Sequence, residues 1–593
     1  MSLVRAASEG QIGVSDGIHS GLDPLFVPAT RVHTAVNVTF RNGMAETRPD
    51  YERVPVALPY GKFQGAASYI SAGQGYLVFA VDGRLYLLRL RGNRLIPLSD
   101  QVPKMSHRVE RFTFTRAERF MIVNDGINRP VILEGERARL ADGAKENPLT
   151  EMPGEWGPAT FGAYLYGRLA FAQTGTDNFL VGDPIIPLRY PENHLFTSEN
   201  TYLQGAGAFQ SASGAAGPIT GVATWPLLDA PTGVGGLLVF KRDSVETYDL
   251  RVDRRAWGSV SISQVVLSRG TESHDSIAVV NNDVFFRNKD GVYSLRTGRQ
   301  EGDSTLFVSY SRANERFIAN DSPNLLRLCS SAVFDNRLLF TCSPRRMLLN
   351  DGRFDFYHMG LVVWDHDIDA TVRNNRENAD GLWTGIPITQ IVAADSPGAH
   401  DRCFAFTKVA GGGNELWEIT SNTTGRDNGT TPIESQIHTR AFAFSGPADR
   451  KKLGTVDVWL SDLSGPGTVR YAVRTDRSTL WQTSTRSQAW HFVDNTCYVQ
   501  ERTGCFDQTS NSCEVPCYRA GHLARLTSDG FGLDFYEAEA RLTFTGRFRL
   551  NAFRLSVVDQ PKDAVSGGRD PDLRPTTLTG EPENLFSYQV AHV

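Results

Sequence analysis

No stretch of the 593 residues approaches the roughly 20 consecutive apolar residues that carry a helix across a bilayer. The segment Met1 to Gly17 lacks the apolar centre of a secretory signal, so synthesis is expected in a cytoplasm. A basic excess is missing too: Lys and Arg total 61 against 66 for Asp and Glu, a net charge of -5. Non-specific nucleic-acid binders draw most of their affinity from neutralising phosphates, so this chain is not expected to grip nucleic acid, although its charge is compatible with bordering it. The signatures GxSxG, HExxH, GxxxxGK[ST] and GxGxxG before a helix are all absent, and the histidines show no i, i+4 pairing. The expectation is therefore a protein that is not an enzyme and holds no cofactor or metal. Long helical periodicity is scarce as well.

What is present is 40% hydrophobic and 21% charged, a folded composition, punctuated by 55 glycines and 29 prolines. Arginine greatly outnumbers lysine, which suits interfaces because its planar fork makes paired hydrogen bonds; a coding bias toward arginine is the alternative. One unit recurs: two apolar runs around a polar turn. It appears at Gly75–Leu90 around Asp82-Gly83, at Arg119–Leu133 around Asp125-Gly126, at Gly236–Leu250, and at Asp283–Leu295 near Asp290-Gly291. A further copy starts at Arg337 with a partner at Gly360, another run begins at Gly167, and Cys403–Ile419 closes the series. Tight hairpins want positive φ in the turn, which Gly supplies and Asn or Asp tolerates. Weaker strands precede several hairpins, at Ala66, Ser276 and Ser330. Hairpin spacing is irregular, roughly 40 to 70 residues, against about 40 to 50 for propeller blades.

The fold class expected is mainly β: an irregular β-propeller with inserted loops plus a C-terminal β-sandwich-like region. Two β-sandwiches would give a similar rhythm. The organisation reads as an N-terminal arm over 1–30, a propeller over 31–430 with insertions near 190–218 and 343–359, and a C-terminal β domain over 431–593. Leu203–Pro218 is small, polar and unpatterned, and is expected to be a mobile loop.

Two constellations invite chemistry. Asp365, Asp367 and Asp369 alternate, which suits calcium, a glycosidase pair beside Trp364, or a solvated acidic turn; the turn glycine and closing glutamate of a calcium loop are missing. Cys497, Cys505, Cys513 and Cys517 form a candidate disulfide cluster within a Cys-rich loop, with structural zinc as the alternative at poorly fitting spacing. Cys329, Cys342 and Cys403 sit in apolar runs and read as small core residues.

An ordered series of motifs resembles the β-propeller tail nozzle (tail tubular, or head-completion) proteins of short-tailed bacteriophages. Thr34–Val54 is similar to the family's opening strand with an R-N-G turn and an R-P-G-like turn, although Asp50 stands where the family has Gly. Asn193–Ser198, the paired strands through Gly236–Leu250, Val265–Leu295 and the strand from Ile437 continue the likeness, with Glu272 at a position where the family often has a small residue. The resemblance covers about residues 31 to 460, carries no catalytic residue, and does not reach the cysteine cluster. It implies a virion component made in the bacterial host cytoplasm: a homo-hexameric tail ring below the portal and adaptor protein. Tail fibres or plug and needle proteins would attach around or below it, and double-stranded DNA would pass without tight binding during genome ejection. The competing readings are a glycan-binding or receptor-binding propeller with glycosidase activity on a phage tail, and a cellular propeller scaffold.

Overall fold

The computed structural model describes residues 6–12, 16–41, 43–198, 209–211, 217–226, 234–250, 263–280, 283–295, 310–366, 378–395, 401–444, 450–484, 488–493, 497–501, 517–519, 524–528, 530–559 and 581–582. Antiparallel sheets follow one another along the chain, each opening with one strand and continuing as a hairpin. The first is Phe63–Ser71, Gln74–Val81, Arg84–Arg89 and Arg94–Pro97; the second is Thr113–Ala117, Phe120–Asn124, Val131–Glu134 and Arg137–Leu140. The third joins Gly162–Leu165, Arg168–Ala172, Asn178–Val181 and Phe209–Ser211, and the fourth Gly221–Pro226, Val234–Phe240, Val245–Tyr248 and Ser263–Leu267. The fifth shows Ala278–Val280, Asp283–Asn288 and Gly291–Ser294 among the described residues.

The last two sheets share a strand. Ser331–Phe334, Arg337–Leu348 and Phe354–Asp365 lead to Asn378–Ala394, whose first half pairs back on Phe354–Asp365. Its second half instead pairs with Arg402–Lys408, which pairs with Asn414–Ile419. The outermost strand of this seventh sheet comes from the other end of the chain: Tyr51–Arg53 pairs with Trp417–Ile419.

Seven blades close into a ring because an apolar cluster fills every gap between neighbours. Tyr69, Val78 and Leu87 of blade 1 pack with Met121, Val123 and Leu133 of blade 2. Phe240 of blade 4 meets Phe286 of blade 5 at 5.3 Å between ring centroids. The final gap is filled like the rest: Phe406 of blade 7 lies 4.9 Å from Phe63 and 5.4 Å from Phe79 of blade 1. A single small sheet leaves both faces wet, whereas radial stacking hides them, at about 1.5–3 kcal/mol for each large apolar side chain buried. The fold is a β-propeller.

The Asp82-Gly83 turn forms as its residues predict, with φ of 49° and 76° and strands joined at Val81 and Arg84. The loop at Asp125-Gly126 is wider. Asp125 accepts hydrogen bonds from the backbone N–H groups of Ile127 and Asn128, and the partner strand resumes only at Val131. This side-chain turn replaces the two-residue hairpin. Across 343–359 both strands run on to an exposed tip, where Leu348 pairs with Phe354.

The second β region is built on two long strands, Lys451–Thr475 and Ala538–Asp559, paired through several register shifts that let them bend. Their neighbours include Glu434–His438 and Ala524–Thr527. The division at residues 30 and 430 does not match the hydrogen bonding. Ala6–Ile12 pairs along Ala538–Asp559 as an edge strand, Thr34–Val36 pairs with Glu434–His438, and Met44–Thr47 meets Arg549 and Leu550. The reason is burial: Val36, Val38 and Phe40 are sealed only between blade 6, through Phe340 and Trp364, and the C-terminal sheet, through Leu542 and Leu550. One core is therefore continuous from the propeller into the C-terminal region.

Candidate functional site

The first strands of all seven blades converge on the ring axis and leave a channel of about 840 Å³. Small side chains recur on these strands, among them Ala67, Ala163, Ala223, Ala278 and Ala332. Close approach explains this: a Cβ added at Gly162 would lie 2.1 Å from the Phe171 ring and 2.5 Å from Thr115 Oγ1. At the end where the inner strands begin, the channel meets a side chamber of about 370 Å³, the two sharing His274 and Asp275. Burial raises the Asp275 carboxyl, opposed by His274 and Arg111, and lowers His274. Burial likewise lowers Arg111, opposed by Asp275, Asp355 and Glu110.

The sequence-derived candidates fall elsewhere. Asp365 is fully buried, with Arg41 Nε 2.6 Å and Arg337 Nε 3.5 Å from its carboxylate. It is neither a solvated turn nor an open ligand. Asp380, also fully buried, accepts from Thr39 Oγ1 at 2.7 Å and from the Phe40 N–H at 3.1 Å. Burial first, then the Asp365 charge, pushes its carboxyl up to about 7 against the pull of Arg337. Asp335 pairs with both arginines. This cluster rivets the Val38–Arg41 strand to blade 6. Trp364, expected to be exposed for a glycan, is 1% exposed and packs edge-on against Phe340. Its strand, Phe354–Asp365, faces the shared core, so Trp364 and Asp365 do not line a glycan cleft. Asp367 and Asp369 lie outside the described residues.

Cys329, Cys342 and Cys403 are free and buried, as their apolar surroundings predict. In the Cys-rich loop, the strands Cys497–Glu501 and Cys517–Arg519 pair with Val499 opposite Cys517. Cys505 and Cys513, and with them the candidate disulfide cluster, lie outside the described residues. Of Leu203–Pro218, Phe209–Ser211 is the fourth strand of blade 3, so the segment is not loop throughout; sheet pairing overrides its weak local pattern. Its remainder, apart from Gly217 and Pro218, lies outside the described residues.

Sequence reasoning missed two clusters. Arg48, 1% exposed, donates to Asp427 at 2.9 and 2.6 Å, Asn37 Oδ1 at 3.0 Å, Thr384 O at 2.9 Å and Pro49 O at 2.7 Å. It also lies 3.7 Å above the Tyr51 ring. Asp50 accepts from the N–H groups of Thr424 and Gly425. The Arg48-Pro49-Asp50 turn is thus the clasp of the closing strand, and its only signal was a charged pair flanking a proline. The second cluster gathers His33, His438 and Glu539, whose ligand atoms lie within 4.8 Å of one another. Glu539 Oε2 already meets His438 Nε2 at 2.5 Å and Arg474 Nη2 at 2.7 Å. Burial alone would raise its carboxyl, yet those two partners bring it down to about 2. A cation there would have to displace Arg474, so the donor set suits a hydrogen-bonded joint across the paired strands of the C-terminal sheet better than a metal.

No family model matches the sequence, and no curated protein matches it. Solved structures do align. A chain of the mitotic checkpoint complex is 11% identical, covering 63% of this chain and 96% of its own, at a TM-score of 0.34. The Myceliophteria thermophila Cps50 (Swd1) β-propeller domain is 11% identical over 62% of this chain and all of its own, at 0.33. PorZ, a surface component of the type-IX secretion system of Porphyromonas gingivalis, is 13% identical over 82% of this chain and 62% of its own, at 0.34. Likeness at these scores carries no argument, and the propeller rests on the ring of blades itself; nothing in these comparisons points to tail nozzle proteins.

Proposed function

We propose that this protein is a structural assembly component with no catalytic turnover, a propeller wall to which other subunits attach. The observation that carries the reading is the continuous core joining blades 5 and 6, the N-terminal strands and the long C-terminal sheet, which makes a stiff body of two β units. Stiffness suits a wall, and interfaces read from rigid surfaces change little on binding. The ordered motif resemblance supplies the finer reading: a tail nozzle ring in a virion, commonly six copies, below a portal and adaptor and bearing fibres or a plug. Duplex DNA would pass through the ring's lumen, which a net charge of -5 suits better than a basic chain would. Electron microscopy of the purified protein and of any particle containing it tests this. An annulus coaxial with a capsid vertex supports it; a monomer at all concentrations, absent from particles, refutes it.

A cellular propeller scaffold is the second reading, favoured by the exposed apolar tip at Leu348 and Phe354, 59% and 50% exposed. A stable monomer that binds one small protein partner through that tip would select it.

A further inference from the structure

We propose that the side chamber at the mouth of the axial channel is a binding site for a cationic head group, a guanidinium or an ammonium. The inference concerns the single subunit and stands whether or not copies assemble into a ring. The chamber, at about 370 Å³, falls in the range of roughly 300 to 1,000 Å³ typical of small-ligand sites.

Its charge points one way. Four carboxylates line it, Glu110, Asp125, Glu272 and Asp275, against the two guanidinium groups of Arg111 and Arg327. Three of the carboxylates are engaged. Glu110 holds Arg327 at 2.6 and 3.0 Å, Glu272 holds Arg242 at 2.8 Å, and Asp125 accepts from the N–H groups of Ser106, Ile127 and Asn128. Among the described residues, the Asp275 carboxylate accepts no hydrogen bond. Arg111 does not neutralise it by contact: its guanidinium donates to Thr389 O at 2.7 Å and to Leu328 O at 3.5 Å.

A second observation is independent of charge. Asn124 is 1% exposed and lines the chamber, yet neither its Oδ1 nor its Nδ2 has a partner. Leaving both ends of a buried amide unsatisfied is costly unless something in the chamber completes them. Asp275 and Asn124 Oδ1 supply two acceptors for a cation, and the Phe161 ring lies in the same wall. The His274 ring, whose pKa burial lowers, accepts the Val222 N–H at Nδ1 and so carries its hydrogen on Nε2. That donor, with Asn124 Nδ2, suits an amide carbonyl beside the cation. A basic residue within a peptide therefore fits better than a bare amine.

Calorimetry on the full chain tests the proposal with four probes: N-acetyl-arginine methylamide, N-acetyl-lysine methylamide, agmatine and putrescine, with N-acetyl-glutamate methylamide as the anionic control. At least one cationic probe should bind, the control should not, and Asp275→Asn should weaken binding tenfold or more. Asp275→Asn is nearly isosteric and removes no hydrogen bond seen in the fold. Asn124→Asp adds an acceptor and a charge and should strengthen binding several-fold, an outcome that misfolding cannot mimic. Capped amino acids binding best would identify the source as a partner's side chain, and free amines binding best a small metabolite; either supports the site. Water filling alone, seen as no binding by any cationic probe, overturns it. So does affinity unchanged in Asp275→Asn, or preference for the control.

Discussion

Replacing Arg48 by Met keeps the length of the side chain and removes five charge-assisted hydrogen bonds at once. It strands the Asp427 carboxylate, 14% exposed, beside the Tyr51 ring that Arg48 covered. Breaking a buried pair from one side costs about 3–5 kcal/mol, because the remaining charge loses its compensation. The residual exposure of Asp427 places this case near the low end, about 3 kcal/mol. The loss should fall on the closing strand, since Arg48 links Tyr51–Arg53 to the blade 6–7 junction at Thr384 and to the 427 turn. Hydrogen exchange reads it directly: about 3 kcal/mol is a factor of more than a hundred in local opening. The amides of Tyr51–Arg53 and their partners at Trp417–Ile419 should accelerate by that factor, and those of blade 3 should not. Adding Asp427→Asn should recover much of the loss, since the stranded charge is its main cause. Arg48→Lys should recover the part owed to the charge beside Asp427 but not the rest, because one ammonium cannot also reach Thr384 O, Pro49 O and Asn37 Oδ1. Unchanged exchange at Tyr51–Arg53 in Arg48→Met would refute the clasp.

Phe406→Ala opens a cavity in the last inter-blade gap beside Phe63 and Phe79, and should lower unfolding stability by about 3–5 kcal/mol in a urea titration. Asp380, raised to about 7 in the fold, keeps a proton that the unfolded chain releases near pH 4. Stability should therefore fall as pH rises from about 4 to 7, by at most about 1.4 kcal/mol per unit, and urea midpoints from pH 5 to 8 should show Asp380→Asn flattening that slope. Glu539 has the opposite sign. Its carboxyl is held at about 2, so its contribution is complete above the ordinary glutamate range and disappears as pH falls from about 4.5 to 2; Glu539→Gln should remove that acid-side loss. Burial raises the Cys329 thiol to about 11 and also raises those of Cys342 and Cys403. Iodoacetamide should leave these three unlabelled in the native protein and label them after unfolding, as peptide mass spectrometry would read.

The hairpins were legible because two local signals coincide in them. The run at Gly75–Leu90 is apolar on both sides of its turn, as strands packed between two blades must be, and Asp82-Gly83 supplies the positive φ the turn demands; Gly236–Leu250 is marked chiefly by its apolar first arm. The inner strands were faint for the opposite reason. Thr113–Ala117 alternates Thr, Phe, Thr and Arg because one side faces a wet channel, and the axis admits little bulk. The outer strands were fainter still: Arg94–Pro97 has no fully buried residue, so no periodicity constrains it. Asp365 misled because alternate carboxylates ordinarily mark solvent. Here the arginines that compensate it lie 324 and 28 positions away in the chain, and no local window contains Arg41.

Blade count was illegible for a related physical reason. A ring is closed by its last gap, and the strand that completes blade 7 comes from before blade 1. The same N-terminal stretch supplies Ala6–Ile12 and Thr34–Val36 to the C-terminal sheet. Both ends of the chain therefore hold the ring shut, and opening it at Tyr51–Arg53 means disturbing strands pinned on either side: Val38–Arg41 by Asp365 and Asp380, and the 424–427 turn by Asp50 and Arg48. A propeller that needed to open for a substrate would gain nothing from such redundancy. One that must hold its shape under load from its neighbours would, which is what the proposed role of a wall requires.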